Sequence, residues 1–184
     1  MMTTNFATCR KRIDCQQTVY NFDVGIKARP NLDSIFLNDT LWFAINESAE
    51  LQDIISGRKV SFKNAANLSF VFGVWKVVGP QELEPGVSAF DYVLRKGKNI
   101  QPTQVSFLKE FQLIGDDNKY ALEVGFVAKQ RGVYRVLIER AANVYTQDNP
   151  CEKANFSVHF VETDQHFYLG YNISGAGVYY FKVH

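Results

Sequence analysis

Several features that usually disclose a protein's work are missing from this chain of 184 residues. No stretch nears the roughly 18 consecutive apolar residues of a membrane helix. Charge of one sign never accumulates: the formal net charge is +1, and the densest basic cluster, Arg10, Lys11 and Arg12, reads as a solvated tail. The basic stripe that a phosphate backbone demands is therefore absent, which argues against a nucleic-acid partner. Histidine is scarce, with only His159, His166 and His184, and none accompanies a Gly-x-Ser-x-Gly elbow. A Ser or Cys hydrolase is not expected, because the nucleophile would lack a base in reach.

The same scarcity extends to cofactors and metals. Gly175-Ala176-Gly177 has neither the third glycine nor the following helix of a dinucleotide fingerprint. No histidine pair has zinc-ligand spacing, and Asp116-Asp117-Asn118, the densest acidic turn, supplies too few oxygens for calcium. No catalytic residue, cofactor or metal is expected, and the chain reads as non-enzymatic.

What the sequence has in quantity is alternation. Hydrophobic residues make up 46% of it, with 15 Phe and 9 Tyr. Tyr20, Phe22, Val24 and Ile26 fall on one side of an extended segment, and Phe156, Val158 and Phe160 repeat the pattern late in the chain. A period of two is the mark of half-buried strands. The fold class it predicts is all-β: a two-sheet antiparallel β-sandwich, Ig-like in the loose sense, with one short helical turn.

Residues 1–17 read as a flexible lead and 18–184 as a single sandwich domain. Strands are predicted over 19–28, 40–46, 67–78, 88–94, 105–114, 120–128, 133–140, 154–162 and 177–183, with a brief edge strand at 59–63. In the second of these Leu41, Phe43 and Ile45 share one face, with Trp42 and Ala44 on the other. Leu51, Ile54 and Ile55 have helical spacing between Ser48 and Gly57, which places the helical turn there. A bulge is expected near Gly73. The strands flanking residues 115–119 and 129–132 read as a three-stranded meander. The expected core is Phe22, Val24, Phe43, Phe70, Phe72, Val124, Phe126, Val136 and Ile138.

Three cysteines, Cys9, Cys15 and Cys151, leave two readings open. One is a cytosolic protein with three reduced thiols. The other is an exported protein with one disulfide, one cysteine left over and a signal segment outside this sequence, since residues 1–8 are too short and polar to hold one. Sugars stack on exposed aromatic faces, so Trp42, Trp75, Tyr168 and Tyr171 are candidate ligand-facing residues; the contrary reading packs the two tryptophans between the sheets.

The run from Leu32-Asp33-Ser34-Ile35 through Asn38-Asp39-Thr40-Leu41-Trp42 resembles envelope lipoproteins of Bacteroidota to which no activity is assigned. So do Ser56-Gly57-Arg58-Lys59-Val60 ahead of Asn64-Ala65, and Gly132-Val133-Tyr134 leading to Cys151 and Thr163-Asp164-Gln165-His166. The resemblance implies a secreted or lipid-anchored β-sandwich, associated with the cell envelope or outer membrane. Cys9 is then the candidate for lipidation, and that lipid would be the chain's only membrane anchor. Under the same reading Cys15 pairs with Cys151, against the competing pair Cys9 with Cys15. The function expected is a structural or binding module at a bacterial cell surface, with an unidentified protein or glycan as ligand. The alternative is a carbohydrate-binding accessory protein of a glycan-uptake system.

Overall fold

Thr18–Arg29 forms the first strand, and from Phe22 to Ala28 every second residue is buried. The structure, a computed structural model, describes residues 15–100, 105–116, 118–161, 167–168, 171–172 and 177–184. Cys9 and His166 lie outside the described residues.

Two seven-stranded sheets pack face to face. In the first, Thr18–Arg29 lies between Thr40–Ser48 and Glu152–Phe160; Lys119–Ala128 follows beyond Thr40–Ser48, and Ala141–Tyr145 closes the far edge. Both Phe90–Lys96 and Ile114–Asp116 pair with Lys119–Ala128. The second sheet runs Ser34–Ile35, Val178–Val183, Gly132–Ile138, Ser69–Gly79, Leu108–Gln112 and Lys98–Ile100, with Glu82–Pro85 also on Ser69–Gly79. Its members are mostly antiparallel, as are those of the first, but Thr18–Arg29 with Glu152–Phe160 and Val178–Val183 with Ser34–Ile35 are parallel. No hairpin joins either pair, so a turn does not dictate their direction.

Aromatic rings fill the space between the sheets. Phe43 of the first meets Phe72 and Tyr179 of the second at 6.0 and 5.8 Å between centroids, and Phe90 meets Tyr134 at 4.7 Å. All nine residues expected in the core are buried. Phe62 joins Phe22 and Phe156 from the segment after Lys59–Ser61, where Tyr120 Oη donates to the Phe62 carbonyl. Burial raises the hydroxyl pKa of Tyr92, Tyr120 and Tyr134, whose neutral O–H groups donate to backbone carbonyls.

Four local expectations are corrected. Residues 47–57 form no helix: Glu50–Gln52 is a strand paired with Lys59–Ser61, Leu51 and Asp53 point in, and Ile54 and Ile55 sit in solvent on the turn between the two arms. The helical turn among the described residues is Val87–Ala89. Gly73 is not at a bulge. Its register with Leu108 and Leu137 is unbroken, and it leaves room for the Trp75 indole, which a Cβ there would meet at 2.1 Å. The expected strand over 105–114 is divided, because Leu108–Gln112 belongs to the second sheet and Ile114–Asp116 to the first, with buried Leu113 as the corner.

The meander is the fourth. Lys119–Ala128 and Gly132–Ile138 lie in opposite sheets, so residues 129–131 cross the end of the sandwich. Lys129 N–H donates to the Ala89 carbonyl at 2.8 Å, and Tyr134 Oη donates to that of Gln130 at 3.0 Å. Gly132 takes φ +154° as the chain enters the second sheet, with Lys76 Cε 2.9 Å from where a Cβ would be. Gly132→Val is expected to cost about 1 to 3 kcal/mol, a backbone effect. Urea denaturation measures it, and an unchanged midpoint would show that the crossing tolerates a side chain.

A disulfide joins Cys15 to Cys151, 5.9 Å apart at Cα. It sits where the parallel pair begins, with Thr18 N–H donating to the Cys151 carbonyl at 2.9 Å and Thr18 opposite Glu152. Cys15 lies in the segment expected to be a flexible lead, and this bond holds it to the domain.

Candidate functional site

The two tryptophans lie neither between the sheets nor on a common surface. Outward-facing residues of Thr40–Ser48 alternate with Leu41, Phe43 and Ile45, which puts Trp42 on the outer face of the first sheet. Trp75 alternates with Phe72 and Val74 and faces outward from the second. Each indole lies over a glycine. A Cβ on Gly125, Trp42's cross-strand partner, would come within 3.0 Å of the indole, as one on Gly73 would crowd Trp75. Each is also topped by a cation: Arg95 Cζ stands 3.8 Å from the Trp42 ring, and Arg135 Cζ 5.4 Å from that of Trp75. Trp75 stacks in addition on Phe107 at 5.3 Å.

Beside Trp42 the outer face is hollow. The register puts Lys27, Ala44, Glu123 and Lys96 in one row across four strands, with Arg29, Trp42, Gly125 and Val93 in the next. Ala44 is too short to fill the space between its long neighbours. Regular pairing of Thr18–Arg29 with Thr40–Ser48 extends from Arg29 only to Ile26; past that point Gly25 N–H donates to Glu47 Oε1 at 3.1 Å. The result is an open groove of about 640 Å³, within the range of ligand sites.

Its charge is uneven. Lys27, Arg29 and Lys96 line it against Glu47 and Glu123. Both carboxylates are engaged by the protein itself, Glu47 at Gly25 N–H and Glu123 with Arg95 Nη1 at 3.1 Å. The Arg95 pair is largely exposed and adds little stability; its effect is to fix the guanidinium over Trp42. With three cations to two carboxylates, the lining as a whole favours a negatively charged ligand. His159, opposite Gly25 on the neighbouring strand, has Nδ1 3.0 Å from Asp23 Oδ1 on the same face.

No family model matches the chain, and no curated protein matches it. Among solved structures, the reeler domain of human F-spondin is similar at 6% identity, with a TM-score of 0.43, over 96% of this chain and 100% of that one. That likeness assigns no role.

Of the four aromatic candidates, the structure brings no two tryptophans together, and Tyr168 faces Tyr171 through backbone pairing in the small ribbon Phe167–Tyr168 with Tyr171–Asn172. The side chains of that ribbon lie outside the described residues. Sequence reasoning missed Lys27, Arg29, Ala44 and Lys96. The alternation that places Trp42 outward also places Ala44 beside it, but only register sets the cations around that gap.

Proposed function

We propose that this chain is a non-enzymatic, extracytoplasmic β-sandwich serving as a binding module at a bacterial cell surface, and that it takes an acidic ligand in the groove beside Trp42. The observation that carries the binding role is the groove itself, a hollow on the outer sheet face lined by three cations, Lys27, Arg29 and Lys96, and two carboxylates, Glu47 and Glu123. The Cys15–Cys151 bond supports the compartment, since such bonds persist in oxidising surroundings. The carbohydrate-accessory alternative would use a shared aromatic platform. Trp42 and Trp75 instead lie on opposite faces, each beneath an arginine, which weighs against neutral sugar stacking.

Emission from Trp42 in a Trp75→Phe protein offers a direct readout. Oligogalacturonate and a short polyglutamate peptide serve as acidic probes, with a cello-oligosaccharide as the neutral one. At least one acidic probe is expected to shift the emission, with affinity falling as salt rises. Arg29→Gln with Lys96→Gln should weaken it roughly tenfold, the worth of two exposed charge contacts. An equal response to the neutral glycan would favour the carbohydrate alternative. Silence with all three would sink the groove as a ligand site.

A further inference from the structure

A turn tip is normally polar, because Gly, Asn, Asp and Ser satisfy its backbone and lie comfortably in water. The tip of the hairpin formed by Glu50–Gln52 and Lys59–Ser61 carries Ile54 and Ile55 instead, 60% and 77% exposed. Neither contributes to the core, and folding supplies no reason for two adjacent branched aliphatic side chains there.

The protein nevertheless holds this tip in one shape. Asp53, at its base, is buried; its Oδ1 accepts Asn21 N–H and its Oδ2 accepts Ser56 N–H, both at 2.8 Å. A hydrogen bond from the Ser56 side chain, with these backbone ones, keeps its carboxyl below the usual carboxylate range, so it remains charged and occupied within the fold. Ile54 N–H donates to the Asn21 carbonyl at 2.8 Å and Gly57 N–H to that of Asp53 at 2.7 Å, with Gly57 at φ +70°. Gln52 Nε2 adds a bond to the Gly57 carbonyl at 3.2 Å. The isoleucines are presented on a fixed mount.

Two exposed cations, Arg58 and Lys59, follow the tip immediately, while Lys63 and the exposed acid Glu50 lie toward the other end of the hairpin, where Phe62 N–H donates to the Ala49 carbonyl. The hairpin meets the first strand at Phe22 and runs antiparallel to it, so the tip projects toward that strand's N-terminal end, where Val19 is 45% exposed and Cys15 is clipped to Cys151. In sequence, Arg10, Lys11 and Arg12 come three to five residues ahead of Cys15.

We propose that the Ile54-Ile55 tip is an interfacial anchor that inserts between the headgroups of an anionic lipid bilayer, with Arg58 and Lys59 meeting lipid phosphates. An exposed apolar pair followed directly by two cations is a composition such an interface selects: aliphatic groups enter the acyl boundary and basic ones are drawn by the negative surface. A protein partner fits less well. Stable interfaces bury about 800 Å² on each side, far more than two side chains at a tip provide. The anchor is carried by the hairpin alone and stands apart from the groove reading.

Co-sedimentation with vesicles of phosphatidylcholine, alone or mixed with phosphatidylglycerol, tests it. The protein should bind the mixed vesicles and not the neutral ones. Ile54→Ser with Ile55→Ser should lower the bound fraction at least tenfold at an unchanged melting temperature, and Arg58→Gln with Lys59→Gln should make the remaining binding insensitive to lipid charge. The groove variant Arg29→Gln with Lys96→Gln should bind vesicles as the parent does, which separates failure of this anchor from failure of the groove. As a second readout, Ile55→Trp should show blue-shifted emission, shielded from an aqueous quencher, on mixed vesicles only. No vesicle binding, binding untouched by the serine pair, an unshifted Ile55→Trp spectrum, or self-association abolished by the serine pair would each overturn the proposal.

Discussion

Reduction of the Cys15–Cys151 bond is expected to remove more stability than any surface substitution in this protein. The bond spans 136 residues, so in the chain-entropy model its closure restrains the unfolded state by about 5 kcal/mol at 25 °C. It also holds Thr18 against Cys151, where the parallel pair of Thr18–Arg29 with Glu152–Phe160 begins. Cys151→Ser should therefore fray both the lead and the start of that pair. Urea denaturation with and without dithiothreitol, alongside Cys151→Ser, measures the effect. Coincident oxidised and reduced curves would show that the bond restrains nothing the folded sheet does not already hold.

Phe43→Ala should have an effect of similar size from a different cause. Phe43 is fully buried, and its ring meets Phe126 and Phe160 in its own sheet and Phe72 and Tyr179 in the other, at 4.9 to 6.0 Å. Truncation leaves a cavity that neither sheet can close without moving the other, and the expected loss is about 3 to 5 kcal/mol. Phe36, 67% exposed beside His184, provides the contrast. Phe36→Ala should stay within about 0.5 kcal/mol of the parent. Comparable losses at the two positions in urea denaturation would contradict the assignment of the core.

The core was legible because burial in a strand is written locally. Phe22 and Val24, Phe70 and Phe72, Val124 and Phe126 each betray their face through the residue between them, whatever the strand pairs with. Connections were less legible. Residues 129–132 look the same in sequence whether they turn within a sheet or cross between two, and only the packing of Tyr134 beneath Phe90 decides it. Leu51, Ile54 and Ile55 imitate a helical stripe because two of the three serve no core; Leu51 alone is buried. The groove lay further out of reach. Lys27, Ala44, Lys96 and Glu123 come from four strands, and a one-residue slip in any of them would turn its contribution to the opposite face.

The parallel pairing of Thr18–Arg29 with Glu152–Phe160 bears on how the chain is made. The strand at the heart of the first sheet is synthesised first and its neighbour near the end, so at ordinary elongation rates it waits roughly ten seconds or more for that partner. Until then one edge of an apolar strand stands open, and such edges recruit other chains. The first sheet is therefore completed only once nearly the whole chain has emerged, and the Cys15–Cys151 bond joins the same two late-meeting segments.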